Sequence, residues 1–196
     1  MDRNHLTMNK MKKTLTLIAS MALLVFFQSS AMAQRGPAGS PRATVKQQIG
    51  NTNVEIDYGR PSLAGRDVNK LVRNNRGSEV WRTGANTSTS ITFDKDVTFA
   101  GQALKAGSYS LWTIPSDGEW TVVVNSVTGN WGTEYGKKTP KDSDVLRAKV
   151  PVTTANTSVE TFTINISDFD NKSKDKANLE LAWGNLSVKI PIVVKN

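Results

Sequence analysis

Two short segments hold the residue types best suited to recognition: Tyr58-Gly59-Arg60-Pro61 with Gly65-Arg66, and Trp81-Arg82-Thr83-Gly84-Ala85-Asn86. An arginine fork grips a carboxylate or phosphate through two parallel hydrogen bonds. Thr83 and Asn86 can add orienting bonds, and two aromatic rings stand beside them. Two readings are open at this point. The segments line a ligand site, or the arginines pin a loop by bonding backbone carbonyls and Asp57 or Glu79. A second cluster, Gly129-Asn130-Trp131-Gly132 followed by Tyr135-Gly136, places two aromatics in a glycine-rich loop. An exposed ring there suits a sugar or a peptide, although Trp131 is expected to fold back over the end of the fold. The candidate ligand-binding residues are Tyr58, Arg60, Arg66, Trp81, Arg82, Asn86 and Trp131.

Catalytic chemistry has little to work with. The sequence has no cysteine, and its single histidine is His5, close to the N-terminus. Downstream of a leader, neither a Ser-His-Asp nor a Cys-His mechanism can be assembled. The usual imidazole and thiolate metal sites are excluded too, so no metal and no cofactor is expected. Asp57, Glu79, Asp94 and Asp96 are the carboxylates from which a glycosidase-like pair would be drawn, but each is also a natural turn or strand-edge residue. The run from Asp168 to Asp175 resembles a calcium loop until its fifth and sixth positions, Lys172 and Ser173, where an oxygen ligand and a glycine belong. It reads as a charged hairpin loop.

Residues 1–33 have the organisation of a cleaved signal peptide. Lys10, Lys12 and Lys13 precede the apolar run Leu15–Phe27, and Ala31-Met32-Ala33 supplies the small residues of a cleavage site. That run is shorter than the roughly twenty residues a membrane span requires. The expected mature protein is periplasmic or secreted, with no stable membrane span. The formal charge of +8 includes +3 from the leader (Arg3, Lys10, Lys12 and Lys13 against Asp2), which leaves +5 after cleavage. Those charges are dispersed and follow no nucleic-acid-binding motif, so no nucleic-acid partner is expected.

The elements that must position the candidate residues are strands. Gln34–Arg42 reads as a flexible leader, rich in Gly and Pro at its start, and residues 43–196 as one domain. Val54, Ile56 and Tyr58 alternate with polar neighbours, as do Trp120, Val122 and Val124, then Phe162, Ile164 and Ile166. Ser90–Phe93 and Asp96–Phe99 are expected as strands joined at Asp94-Lys95. Phe99-Ala100-Gly101-Gln102 and Asp117-Gly118 mark tight turns, and Gly184-Asn185 is expected to separate the last two strands. Ser62–Ser78 reads as a long loop with a helical turn near Val68–Val72. Pro151 and Pro191 point to edges or bulges. Nine or ten short strands without a helical period predict an all-β, single antiparallel β-sandwich, jelly-roll-like.

YGRPSLAGRDV, EVWRTGAN, ITFDKDVTFAGQALKAGSYSLWTIP and WTVVVN…WG resemble the domain of unknown function 2911 family of exported bacterial proteins. The resemblance covers the whole expected mature domain and implies an exported all-β domain with no assigned activity. Thr87-Ser88 stands where the family pattern tends to place an acidic residue after GAN, and Leu71–Gly77 departs from the usual LVPYG. With that acidic position absent, binding of an envelope glycan, a peptide or a small anion is the expected role. A carboxylate-dependent hydrolase and an assembly partner using exposed strand edges are the alternatives.

Overall fold

The computed structural model describes residues 39–73, 79–132 and 134–195. The expected signal peptide and the first five residues of the leader, Gln34–Ala38, lie outside the described residues. Nine strands follow in chain order: β1 (Arg42–Ile49), β2 (Thr52–Gly59), β3 (Thr89–Phe93), β4 (Val97–Phe99), β5 (Gln102–Leu104), β6 (Gly107–Ile114), β7 (Glu119–Asn125), β8 (Asp144–Ser167) and β9 (Lys176–Val194). One short helix, α1 (Val68–Arg73), sits where a helical turn is expected.

All pairings between these strands are antiparallel, in the order β1-β2-β3-β6-β7-β8-β9-β4-β5. The sheet does not close into a barrel. It folds because β8 changes partner: Asp144–Pro151 pairs with β7, and Val152–Ser167 pairs with β9. Pro151 sits at that exchange, where a missing N–H costs no ladder bond. Pro191 marks the matching place on β9, between Val188, paired to β8, and Ile192, paired to β4. Both prolines mark changes of partner.

The two halves enclose one apolar core drawn from alternating residues of both: Ile56, Ile91, Leu111 and Val122 from one, Phe162, Ile164, Leu179 and Ile190 from the other. Period-two burial along β2 and β3 is the direct product of the sequence alternation. Asp94-Lys95 joins β3 to β4 as expected, and the link crosses between the two halves, since β3 lies between β2 and β6 while β4 pairs with β5 and β9. One expectation is corrected: Gly184-Asn185 does not end a strand. β9 runs through it, with Gly184 at φ 58° opposite a register shift in β8. A bulge accommodates there what the sequence signals as a turn.

Candidate functional site

The partner change at Pro151 creates a structural problem. Beyond it, one side of β8 has lost its neighbour, and the N–H and C=O groups turned away from β9 lack a ladder. The Tyr58–Leu63 segment covers them. Tyr58 Oη accepts from Ile164 N at 3.0 Å and donates to Ile164 O at 3.3 Å. Phe162 N donates to Pro61 O at 2.8 Å, and Arg60 Nε donates to Phe162 O at 3.2 Å. Leu63 N donates to Glu160 O at 2.9 Å, and the hydroxyls of Ser62 and Thr161 meet at 2.9 Å. Every second residue of the β8 edge is thereby matched. Arg66 closes the strap on itself, donating to the carbonyls of Leu63 and Ser62.

Tyr58 and Trp81 are core residues. Trp81 stacks on Trp183 with centroids 5.7 Å apart and meets Trp120 and Phe162 edge-on, while its indole N–H donates to Gly84 O at 3.1 Å. Neither offers a ligand an open face. Arg60 and Arg66 act on backbone carbonyls, as the clamp reading requires. Asp57 is held by Arg42 and Thr44, so it is not their partner.

Arg82, Asn86 and Trp131 do come together. Thr83 and Asn86 adopt left-handed φ values of 54° and 65°. Their loop is braced by Thr89 Oγ1 donating to Thr83 O at 2.6 Å and Asn86 Nδ2 donating to Ser40 O at 3.2 Å. Ser88 N donates to Asn130 O and Gly132 N to Asn86 O, both at 2.9 Å, which locks the Trp131 loop alongside. A Cβ on Gly132 would lie 1.7 Å from Arg82 Cδ, so the arginine stem crosses the bare glycine backbone. A Cβ on Gly59 would lie 2.1 Å from Ala85 O, so the YGRP and TGAN segments meet backbone to backbone. These glycines are needed for close approach.

A model of the family described as protein of unknown function (DUF2911) matches residues 40–192. The chain belongs to that family. No curated protein and no solved structure matches it. The DUF2911 match spans both the strap and the Arg82–Asn86 loop, and the geometry gives much of the motif a scaffolding explanation.

Among the tryptophans of this DUF2911 chain, Trp131 stands apart. It is 53% exposed, whereas Trp81, Trp112, Trp120 and Trp183 are buried. The expected fold-back does not occur, because its backbone is tied to the Asn86–Ser88 loop and the Arg82 stem fills the space over Gly132. The sequence does not show how the neighbouring Asn130 is used. Asn130 Nδ2 donates to Lys138 O at 2.7 Å and to Thr139 Oγ1 at 2.9 Å, joining the tryptophan loop to one bearing exposed Lys137 and Lys141. Ser88 Oγ, in the same loop system, is buried without a hydrogen-bond partner among the described residues. A buried hydroxyl in that state is disfavoured by about 1–3 kcal/mol until a partner arrives.

Behind the lysines lies a braced network. Asp144 accepts from Asn125 Nδ2 at 2.8 Å, Tyr135 Oη at 2.7 Å and Arg147 Nε at 2.9 Å. Burial, reinforced by the hydrogen bond to Asp144, pushes the Tyr135 phenol up to about 12. Its ring tilts against Trp112 at 5.2 Å.

The carboxylates are separately occupied. Asp94 takes Asn53 N at 2.7 Å and Nδ2 at 2.6 Å; Asp96 takes Lys105 Nζ at 2.8 Å and Ala106 N at 2.9 Å. Those donors hold both below the usual carboxylate range, opposite to the shift a general acid requires. Among the described residues no group of three or more His, Cys, Asp or Glu could hold a metal, and no helix is long and apolar enough to cross a membrane.

Proposed function

We propose that this DUF2911 protein is an exported, non-catalytic binding module of the cell envelope, and that Arg82, Asn86 and Trp131 form the face that takes an acidic glycan. The observation that carries the reading is Trp131, a half-exposed indole on a loop fixed by hydrogen bonds on both sides. Covering on the order of 100 Å² of such a ring stabilises a complex by about 2.5 kcal/mol. Arg82, whose stem crosses Gly132, and the exposed Lys137 and Lys141 of the loop that Asn130 holds supply attraction for carboxylates on a stacked sugar. A braced loop loses little freedom on binding.

Titration of the purified protein with oligogalacturonate, followed by tryptophan fluorescence, tests the reading. Quenching confined to the solvent-exposed component, lost in Arg82→Ala and reduced by salt, supports it. A carboxyl-terminal peptide or inorganic phosphate that quenches Trp131 while the glycan does not would reassign the ligand. No change with any of the three overturns the site.

A further inference from the structure

Phe169 is a second aromatic ring in an unexpected place. It lies in the turn between β8 and β9 and is 41% exposed, whereas Phe93, Phe99 and Phe162 are buried. The turn is held firmly. Asp170 Oδ1 accepts from Lys172 N at 2.8 Å and Ser173 N at 3.1 Å, and Lys174 N donates to Asp170 O at 2.9 Å. Asp168 Oδ2 accepts from Asn178 Nδ2 at 2.9 Å and Lys189 Nζ at 2.8 Å. The acidic residues that give this segment its calcium-loop look are therefore the brackets that project Phe169.

In front of the ring is a hollow of about 360 Å³ bordered by Gln47 and Gln48 of β1 and by Asn171. A second hollow of about 440 Å³ shares Gln47 and Gln48 and continues over β1 and β2. Each is within the roughly 300–1,000 Å³ of small-molecule sites. Their charges are largely matched internally. Lys46 pairs with Glu55 at 3.0 Å, Asp94 holds Asn53, and Asp170 holds its own turn. Lys174 stands at the rim as an added donor. The side chains of Gln48 and Asn171 have no hydrogen-bond partner among the described residues.

We propose that Phe169, Gln48 and Asn171 form a neutral-saccharide subsite wrapped around the free edge of β1, separate from the Arg82–Trp131 face. Side-chain amides both donate and accept, matching hydroxyls that do the same. The apolar face of a pyranose ring suits the phenyl ring. An anion would meet Glu55, Asp94 and Asp170, so an uncharged sugar fits better. Two hollows meeting at Gln47 and Gln48 favour an oligosaccharide over a monosaccharide.

Calorimetric titration of the purified protein with cellotetraose and chitotetraose tests the assignment, using Phe169→Ala, Gln48→Ala and Trp131→Ala. The expected result is salt-insensitive binding of at least one sugar, weakened about tenfold by Phe169→Ala, weakened by Gln48→Ala and unchanged by Trp131→Ala. Phe169 and Gln48 are exposed, so both variants should melt with the wild type, which separates lost binding from lost folding. No heat from either sugar overturns the proposal. So does binding that Phe169→Ala leaves intact, or a salt-sensitive preference for oligogalacturonate that Phe169→Ala abolishes.

Discussion

Removing one oxygen tests the strap. In Tyr58→Phe the ring remains against Phe162, whose centroid is 5.7 Å away at 88°, so apolar burial hardly changes. What disappears is the Oη that accepts Ile164 N at 3.0 Å and donates to Ile164 O at 3.3 Å. Two hydrogen bonds contribute about 1 kcal/mol each, and a buried N–H left unmatched adds a penalty, giving about 2–4 kcal/mol. At about 2–4 °C per kcal/mol for a domain of this size, the melting temperature falls by roughly 4–16 °C. Thermal unfolding with hydrogen exchange at the Ile164 amide is the assay. The exchange probe matters because it reports the β8 edge itself. A fall of less than about 2 °C, with wild-type protection at Ile164, would refute the idea that Tyr58 seals the edge.

Three further outcomes follow from particular contacts. Gly59→Ala places a Cβ 2.1 Å from Ala85 O, backbone against backbone, so β2 or the TGAN loop must move. A loss of about 3 kcal/mol or more in chemical denaturation is expected. Gly132→Ala meets a side chain instead, with Arg82 Cδ at 1.7 Å, and should expel the arginine stem at a smaller cost of about 1–3 kcal/mol. Fluorescence titration should then show glycan binding as weak as in Arg82→Ala. Tyr135 has a folded value of about 12 against an ordinary 10.0, so the proton is held more tightly in the folded state. Its contribution to stability is complete below pH 10 and is lost as pH rises through 12. Melting curves from pH 9 to 12 should fall less steeply in Tyr135→Phe than in wild type.

Local pattern was legible and its consequences at a distance were not. The alternation of Val54, Ile56 and Tyr58 identifies a strand because a period of two follows from the extended backbone. The same logic finds the strands on either side of Asp94-Lys95 but not their partners, since two adjacent strands with a polar pair between them look alike whether they form a hairpin or cross between the halves of a folded sheet. Arg60 is conspicuous in the sequence, yet its acceptor is a carbonyl 102 residues away on an edge that exists only because β8 changes partner at Pro151. Composition cannot reveal such an edge. Trp131 was visible as an aromatic in a glycine-rich loop, but its exposure depends on bonds to Asn86 and Ser88, which sequence spacing does not encode. Phe169 was obscured by the charged residues that hold it out.

If Arg60 of the strap holds the fold and Trp131 forms the proposed ligand face, the two residues respond differently to ligand. Thermal unfolding with and without oligogalacturonate, in wild type, Arg60→Ala and Trp131→Ala, separates them. At about 100 times its Kd the ligand should add roughly 2.7 kcal/mol to wild type. The expected result is the same gain in Arg60→Ala, from a lower starting temperature, and little or none in Trp131→Ala, which should begin near wild type. A full ligand gain in Trp131→Ala, or its selective loss in Arg60→Ala, would rule out this division of roles.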